Sequence, residues 1–187
     1  MQVVETGETY SVKKKPFYHP DQPERDTTYW DWSLIPVKDE SGFVSYLVFS
    51  LYDVTEHQNE KDAHKKSKEF LEHIIRSQIN GLYIYNFQLG TNDFINQQYT
   101  HLTGWTLEEI QSLRGDEFAE FFHPEDRDHI QEHMAALKEA KDEDVFDVEY
   151  RFRTKDGRWI WCWSRDTVFE RDEAGAVKQC IGTFLDI

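Results

Sequence analysis

His129 and His133 stand four residues apart, the spacing that puts two imidazoles on one face of a helix and lets them chelate a metal ion. No cysteine or second histidine motif completes a tetrahedral set, and a polar helix face accounts for the pair equally well. The two cysteines, Cys162 and Cys180, fall on the two strands of one predicted hairpin at unequal distances from its turn. They are not placed to oxidise together, and reduced thiols in a cytoplasmic setting are expected. His57, His64 and His73 lie on a long polar helix and read as surface residues. No nucleophile elbow, P-loop or Gly-x-Gly-x-x-Gly run occurs, so no catalytic site is expected in this chain.

The elements that position these residues carry an echo. The stretch Arg158–Ile187 reads as an antiparallel hairpin around Arg171-Asp172-Glu173-Ala174-Gly175-Ala176. Tyr29 to Val54 repeats the pattern. Trp30 superposes on Trp163, Asp39 on Asp172, Glu40 on Glu173, Gly42 on Gly175, Val44 on Val177 and Asp53 on Asp186. Each pair is separated by 133 positions, as Gly42 is from Gly175. A constant offset across these identities marks an internal repeat of about one small domain's length. Such a period in a chain of 187 residues leaves room for one whole unit and part of another. The expectation is an excerpt of a longer protein.

Composition narrows the class. With 36 acidic against 21 basic residues the formal net charge is −15, which argues against a nucleic-acid partner, whose phosphates demand Lys and Arg. No apolar run approaches the eighteen or so residues of a spanning helix, so no membrane contact is expected from this segment. Aromatic residues make up 15%, enough bulky apolar surface for one core of a hundred-odd residues.

In chain order, Glu8 to Phe17 alternates loosely as a strand, Trp30 to Val37 is a second, and Phe43 to Tyr52 returns across the turn Lys38–Gly42. Three such strands are marginal alone and are expected to pack against a flanking helix or a second copy. Asp53-Val54-Thr55-Glu56 then opens a helix, with capping-box spacing either from Thr55 to Gln58 or from Asp53 to Glu56. Glu56 to Ser77 contains neither Pro nor Gly. Ala63, Phe70, Ile74 and Ser77 share a face with Leu71 and Ile75 beside them, while the first half is nearly all polar. This helix is either an exposed spacer or one strand of a coiled coil. Leu82–Phe87 and Phe94–Ile95 follow as strands. Asn96 caps a helix to Leu102, Thr106 another to Leu113, and Asp116–Phe122 is a short helical piece. A longer helix starts at His123-Pro124 and runs to about Ala140. Val145–Arg153 alternates strictly, with Phe146, Val148, Tyr150 and Phe152 on one face. After the turn at Asp156-Gly157, Trp159–Phe169 and Val177–Leu185 complete a three-stranded meander. Two strands, several helices, then three strands is an α+β order.

That order resembles a PAS domain. The likeness is carried by Asn96 through Gly104-Trp105, His123-Pro124-Glu125-Asp126-Arg127, Glu149-Tyr150-Arg151, Lys155-Asp156-Gly157, Trp161 and Gly182 to Ile187. Together they look like the PAS plus PAC segment of bacterial signalling proteins. Residues 1–54 resemble the C-terminal strands of a second, truncated copy, residues 55–78 form the linker helix, and residues 79–187 a complete domain.

The resemblance implies a five-stranded antiparallel sheet of order 2-1-5-4-3 with short helices on one face. It implies a sensory and dimerisation module of a signal-transduction protein of the histidine kinase or diguanylate cyclase type, as in two-component systems, with the output domain outside this chain. A homodimer through the linker helix and sheet face is implied, and a small-molecule ligand is possible. The alternative is a ligand-free scaffold for protein–protein assembly. Tyr83, Tyr85, Tyr99, Phe146, Tyr150 and Trp163 sit on the elements around the family's cavity, where they either stack on a planar ligand or fill the core; core filling is the commoner use of aromatics. Asp53-Val54-Thr55 matches the family's terminal Asp-x-Thr signature, which makes Asp53, Thr55 and Asp186 the relay residues. The cofactor is left unknown. In some relatives a histidine on the long helix ligates haem, but nothing else here marks a haem pocket. The flavin branch's reactive cysteine has no counterpart in Gly115-Asp116-Glu117-Phe118.

Overall fold

The computed structural model describes residues 2–22, 24, 26–113 and 115–187. Its elements run α1 (Gln2–Thr6), β1 (Tyr10–Phe17), β2 (Thr28–Lys38), β3 (Val44–Asp53), α2 (Thr55–Ser77), β4 (Gly81–Asn86), β5 (Thr91–Ile95), α3 (Gln97–Thr103), α4 (Leu107–Ser112), two 3-10 segments (Gly115–Phe121 and Pro124–Asp126), α5 (Arg127–Lys138), β6 (Val145–Arg153), β7 (Trp159–Arg171) and β8 (Val177–Asp186). Two compact units result, residues up to Phe70 and Leu71–Ile187.

The second unit carries a five-stranded antiparallel sheet of order β5-β4-β8-β7-β6, the 2-1-5-4-3 order expected. Local chemistry fixes its helices. Asn96 accepts from Tyr99 N at the start of α3, and Gly104 closes it in a left-handed conformation. Thr106 and Glu109 form the full capping box of α4. The long helix starts later than its sequence suggests. Pro124–Asp126 is a 3-10 turn, capped by His123 accepting from Glu125 N, and α5 proper begins at Arg127. Tyr99, Ile110, Phe121, Val148, Phe152 and Phe184 form the core between the helices and one sheet face.

The first unit holds the three-stranded sheet β1-β2-β3, preceded by α1, for which the sequence carries no clear signal. No residue of its strands is fully buried. Its two edges differ in kind. β1 carries Lys13, Lys14, Lys15 and Pro16, its register breaks between Val12 and Lys15, and Lys14 has φ 54. β3 contains no Pro, Lys or Arg.

The two halves of the internal repeat match in detail at their turns. Asp39 N donates to Phe43 O at 2.8 Å and Gly42 N to Asp39 O at 3.0 Å; Asp172 N donates to Ala176 O at 2.9 Å and Gly175 N to Asp172 O at 2.9 Å. Both glycines sit at φ 85, a region costly for any residue with a Cβ. Both strand pairs also slip by one residue just past the turn, between Val37 and Lys38 and between Glu170 and Arg171. They part at a second irregularity between Val168 and Glu170, which has no counterpart in β2. One extra residue there exchanges the two faces of β7 relative to β2. Trp30 faces Asp53 across its ladder, whereas Trp163 faces Leu185, so residues aligned in sequence lie on opposite sheet faces.

Helix α2 has no buried residue. Phe70 is 65% and Leu71 54% exposed. Thr55 does not head a capping box with Gln58. Its hydroxyl oxygen accepts from Tyr29 N at 2.8 Å and also approaches Tyr29 O, while its own N–H donates to Asp53 Oδ1 at 2.9 Å. The Gln58 side-chain amide donates instead to Asp62. Among the described residues no helix is long and apolar enough to cross a membrane.

Candidate functional site

Strand β8 lies between β4 and β7, and Gly182 is the residue opposite both Tyr83 and Asp166. A Cβ at position 182 would lie 2.0 Å from Asp166 Oδ1 and 2.5 Å from the Tyr83 hydroxyl. The missing side chain is what lets these two neighbours meet over the strand. Tyr83 OH donates to Asp166 Oδ1 at 2.6 Å. Ser164 donates to Asp166 Oδ2 at 3.0 Å, and His133 Nε2, reaching across from α5, lies 3.0 Å from the same oxygen. Asp166 is only 2% exposed. Three partners thus hold a carboxylate whose burial without them would be prohibitive.

This cluster forms one wall of an internal cavity between the sheet and the helical layer. About 50 Å³ of it is open to the centre of a water molecule, room for about four waters or one compact solute. Rings line most of the rest, among them Tyr85, Tyr99, Phe118, Phe122, Tyr150 and Phe152. Burial raises the Tyr83 and Tyr150 phenols well above the ordinary tyrosine range, with the charge of Asp166 adding to it. Burial likewise raises Tyr99, against which a hydrogen bond from Asn92 acts. These hydroxyls therefore stay protonated. Asn92 itself is 1% exposed and lines the cavity, and its Oδ1 has no hydrogen-bond partner among the described residues. A second depression, bordered by Arg127, Gln131 and Lys138, shares Tyr85, Phe118, Phe122, Ile130 and Met134 with the cavity and continues it outward.

Of the six aromatics singled out from sequence, Tyr83, Tyr85, Tyr99 and Tyr150 line the cavity. Phe146 and Trp163 do not. Phe146 packs half-buried against the His133 ring, with centroids 6.2 Å apart. Trp163 lies on the opposite sheet face under the Arg165 guanidinium, 5.2 Å from its ring centroid. For Trp163 the reason is the phase of β7. Cys162, Ser164 and Asp166 are buried while Trp161 and Arg165 are exposed and Trp163 half-buried, so the larger apolar residues point away from the core. Both cysteines are free and buried, and burial pushes each thiol up to about 12.

His129 and His133 diverge in role. His133 faces Asp166, and His129 is exposed. Asp166, Ser164, Asn92 and Gly182 carried no signal as site residues. The one available clue was a charged residue in strand phase with Cys162, set among residues of high β propensity. Of the relay residues, Asp53 accepts from Thr55 N, and the Thr55 hydroxyl bonds Tyr29. Asp186 is exposed and pairs in register with Cys162.

Residues 92–184 match the family model described as the PAS fold. Among similar solved structures, the PAS domain of an HTR-like protein from Haloarcula marismortui is 15% identical, covers 70% of this chain and 99% of its own, and has a TM-score of 0.55. A PAS domain from Colwellia psychrerythraea is 19% identical over 64% of this chain and 95% of its own, with a TM-score of 0.52. An RNA-binding light-oxygen-voltage receptor is 12% identical over 99% of this chain and 80% of its own, with a TM-score of 0.50. At these identities the likeness is one of fold.

Proposed function

The chain contains a PAS domain, and from that premise we propose that it is a non-catalytic sensory module of a signalling protein, in which occupancy of the β4–β8–β7 cavity is relayed through the central strands to a flanking helix. The observation that supports this reading is the placement of Tyr83, Asp166 and Gly182. The polar wall of the cavity is hydrogen-bonded directly across the middle strand of the sheet. A solute that displaces Tyr83 or Asp166 changes the packing over Gly182, and β8 ends at Asp186, four residues further along the same strand. In the first unit the corresponding exit is built from Asp53, Thr55 and Tyr29, which tie the start of α2 to β2. The signal is a shift between two packings of one sheet.

The purified full chain is examined by native mass spectrometry and by hydrogen exchange before and after a compact-solute screen. Sensing gives a retained or added small molecule together with altered protection in β8. A chain that takes up no solute and shows no change in β8 refutes it.

A second reading is a ligand-free assembly scaffold. It is favoured by the apolar residues left exposed on α2 and on β3, where Phe49 is 59% and Tyr52 69% exposed. On either reading the module pairs with a second copy through α2 and a sheet face. Sedimentation of the Phe70→Glu/Ile74→Glu variant tests this; a dimer that persists unchanged refutes α2 as part of the interface.

A further inference from the structure

The cavity's polar groups are unequal in sign. The wall holds one buried carboxylate, Asp166, whose ion-pair partner among the described residues is an imidazole rather than a lysine or arginine. Elsewhere in the lining stands an acceptor with nothing to accept, Asn92 Oδ1. A buried carbonyl oxygen left without a donor costs about 1–3 kcal/mol, and such atoms are rare in native interiors. The Asn92 side chain is almost wholly shielded and lines the cavity, so the cavity is where a water or solute donor would reach it. Besides these two oxygens the lining is largely aromatic, including Tyr85, Tyr99, Tyr150 and Phe152. Aromatic faces attract cations, most strongly where water is excluded. An anion would meet a carboxylate and an orphan carbonyl. A large apolar solute would leave both oxygens unmatched. Of the two cationic side chains at the outer depression, Arg127 donates to Phe122 O and Lys138 lies over the Phe87 ring.

We propose that the cavity binds a compact protonated amine, its N–H groups donating to Asn92 Oδ1 and toward the Asp166 carboxylate, with its charge against the tyrosine faces. This rests on the reading of the cavity as the sensing site and names the class of molecule sensed.

The probe is ethylammonium chloride, titrated into the full chain at fixed ionic strength by calorimetry and by NMR of the Asn92 side-chain amide. Ethanol serves as the neutral isostere, sodium acetate as the anion, and dissolved xenon as a measure of access alone. The expected result is one saturable ethylammonium site that shifts the Asn92 resonances. Asn92→Ala weakens it about tenfold or more, the loss of one charge-assisted hydrogen bond. Asn92→Asp, which keeps an acceptor and adds charge, binds at least as tightly as the unaltered chain. If ethanol or acetate binds as well as ethylammonium, or if ethylammonium binding ignores both Asn92 variants, the amine assignment is overturned while the cavity remains a binding site. If xenon enters but no solute binds, the amine assignment is likewise overturned. If xenon too fails to enter, the sensing reading falls with it.

Discussion

Gly182→Ala is the sharpest perturbation the structure offers. The added methyl carbon would stand 2.0 Å from Asp166 Oδ1 and 2.5 Å from the Tyr83 hydroxyl, so at least one of them must retreat by about an ångström. Retreat breaks a 2.6 Å hydrogen bond to a buried carboxylate, worth about 1.5–3 kcal/mol. Overpacking adds about 1–3 kcal/mol, and replacing glycine in a strand returns about 0.5–1 kcal/mol. The net loss is about 2–5 kcal/mol, a large share of the stability of an ordinary domain. Because Cys162 and Cys180 are buried in the second unit, urea unfolding followed by pulsed thiol labelling reports on that unit alone. The midpoint should fall accordingly. Tyr83→Phe, which has already lost the hydroxyl, should make the same glycine substitution distinctly less costly. An equal cost in both backgrounds, or a midpoint unmoved by Gly182→Ala, refutes the account of why this position is bare.

Three other outcomes follow from the geometry. Asp126 is held below the usual carboxylate range chiefly by hydrogen bonds from Arg151, and Asp156 at about 2 by the Thr154 hydroxyl and then Arg158. Their stabilising contribution is present above the unfolded carboxylate pKa of about 4 and is lost as pH falls through the depressed folded values; the urea midpoint should drop from pH 5 toward pH 2, less steeply in Arg151→Ala. With thiol pKa values of about 12, only about one native thiol in 10⁴ is ionised at pH 8; iodoacetamide should label both cysteines readily in denaturant and hardly at all in native buffer. Thr55→Val removes the hydroxyl that accepts from Tyr29 N, and hydrogen exchange of Tyr29 should quicken severalfold with the far end of α2 unchanged, whereas no change at Tyr29 would contradict the described tie.

Much of the fold was legible because its signals are local. The alternation of β6, the capping residues Asn96 and Thr106, and the twin turns at Gly42 and Gly175 act over a few residues each, and each forms as the sequence implies. The cavity was legible only in part, because its occupants are decided by strand phase. In β7 two interleaved series compete for the interior: Trp159, Trp161 and Trp163 against Ile160, Cys162, Ser164 and Asp166. Hydrophobicity favours the tryptophans. The structure buries the other series, since the irregularity near Phe169 sets the phase and the carboxylate finds Tyr83, Ser164 and His133 waiting for it. Asn92 and Gly182 carry no site signal for a related reason. Each matters through a neighbour distant in sequence, and no periodicity encodes that.

The unequal edges of the small sheet set a rule of growth. One margin is fenced by three lysines, a proline and a kink; the other is a bare row of ten residues. Open margins pair, and fenced ones do not. Two such sheets joined bare edge to bare edge would present only fenced margins to the outside. Association by this route stops at two and cannot propagate into a fibre.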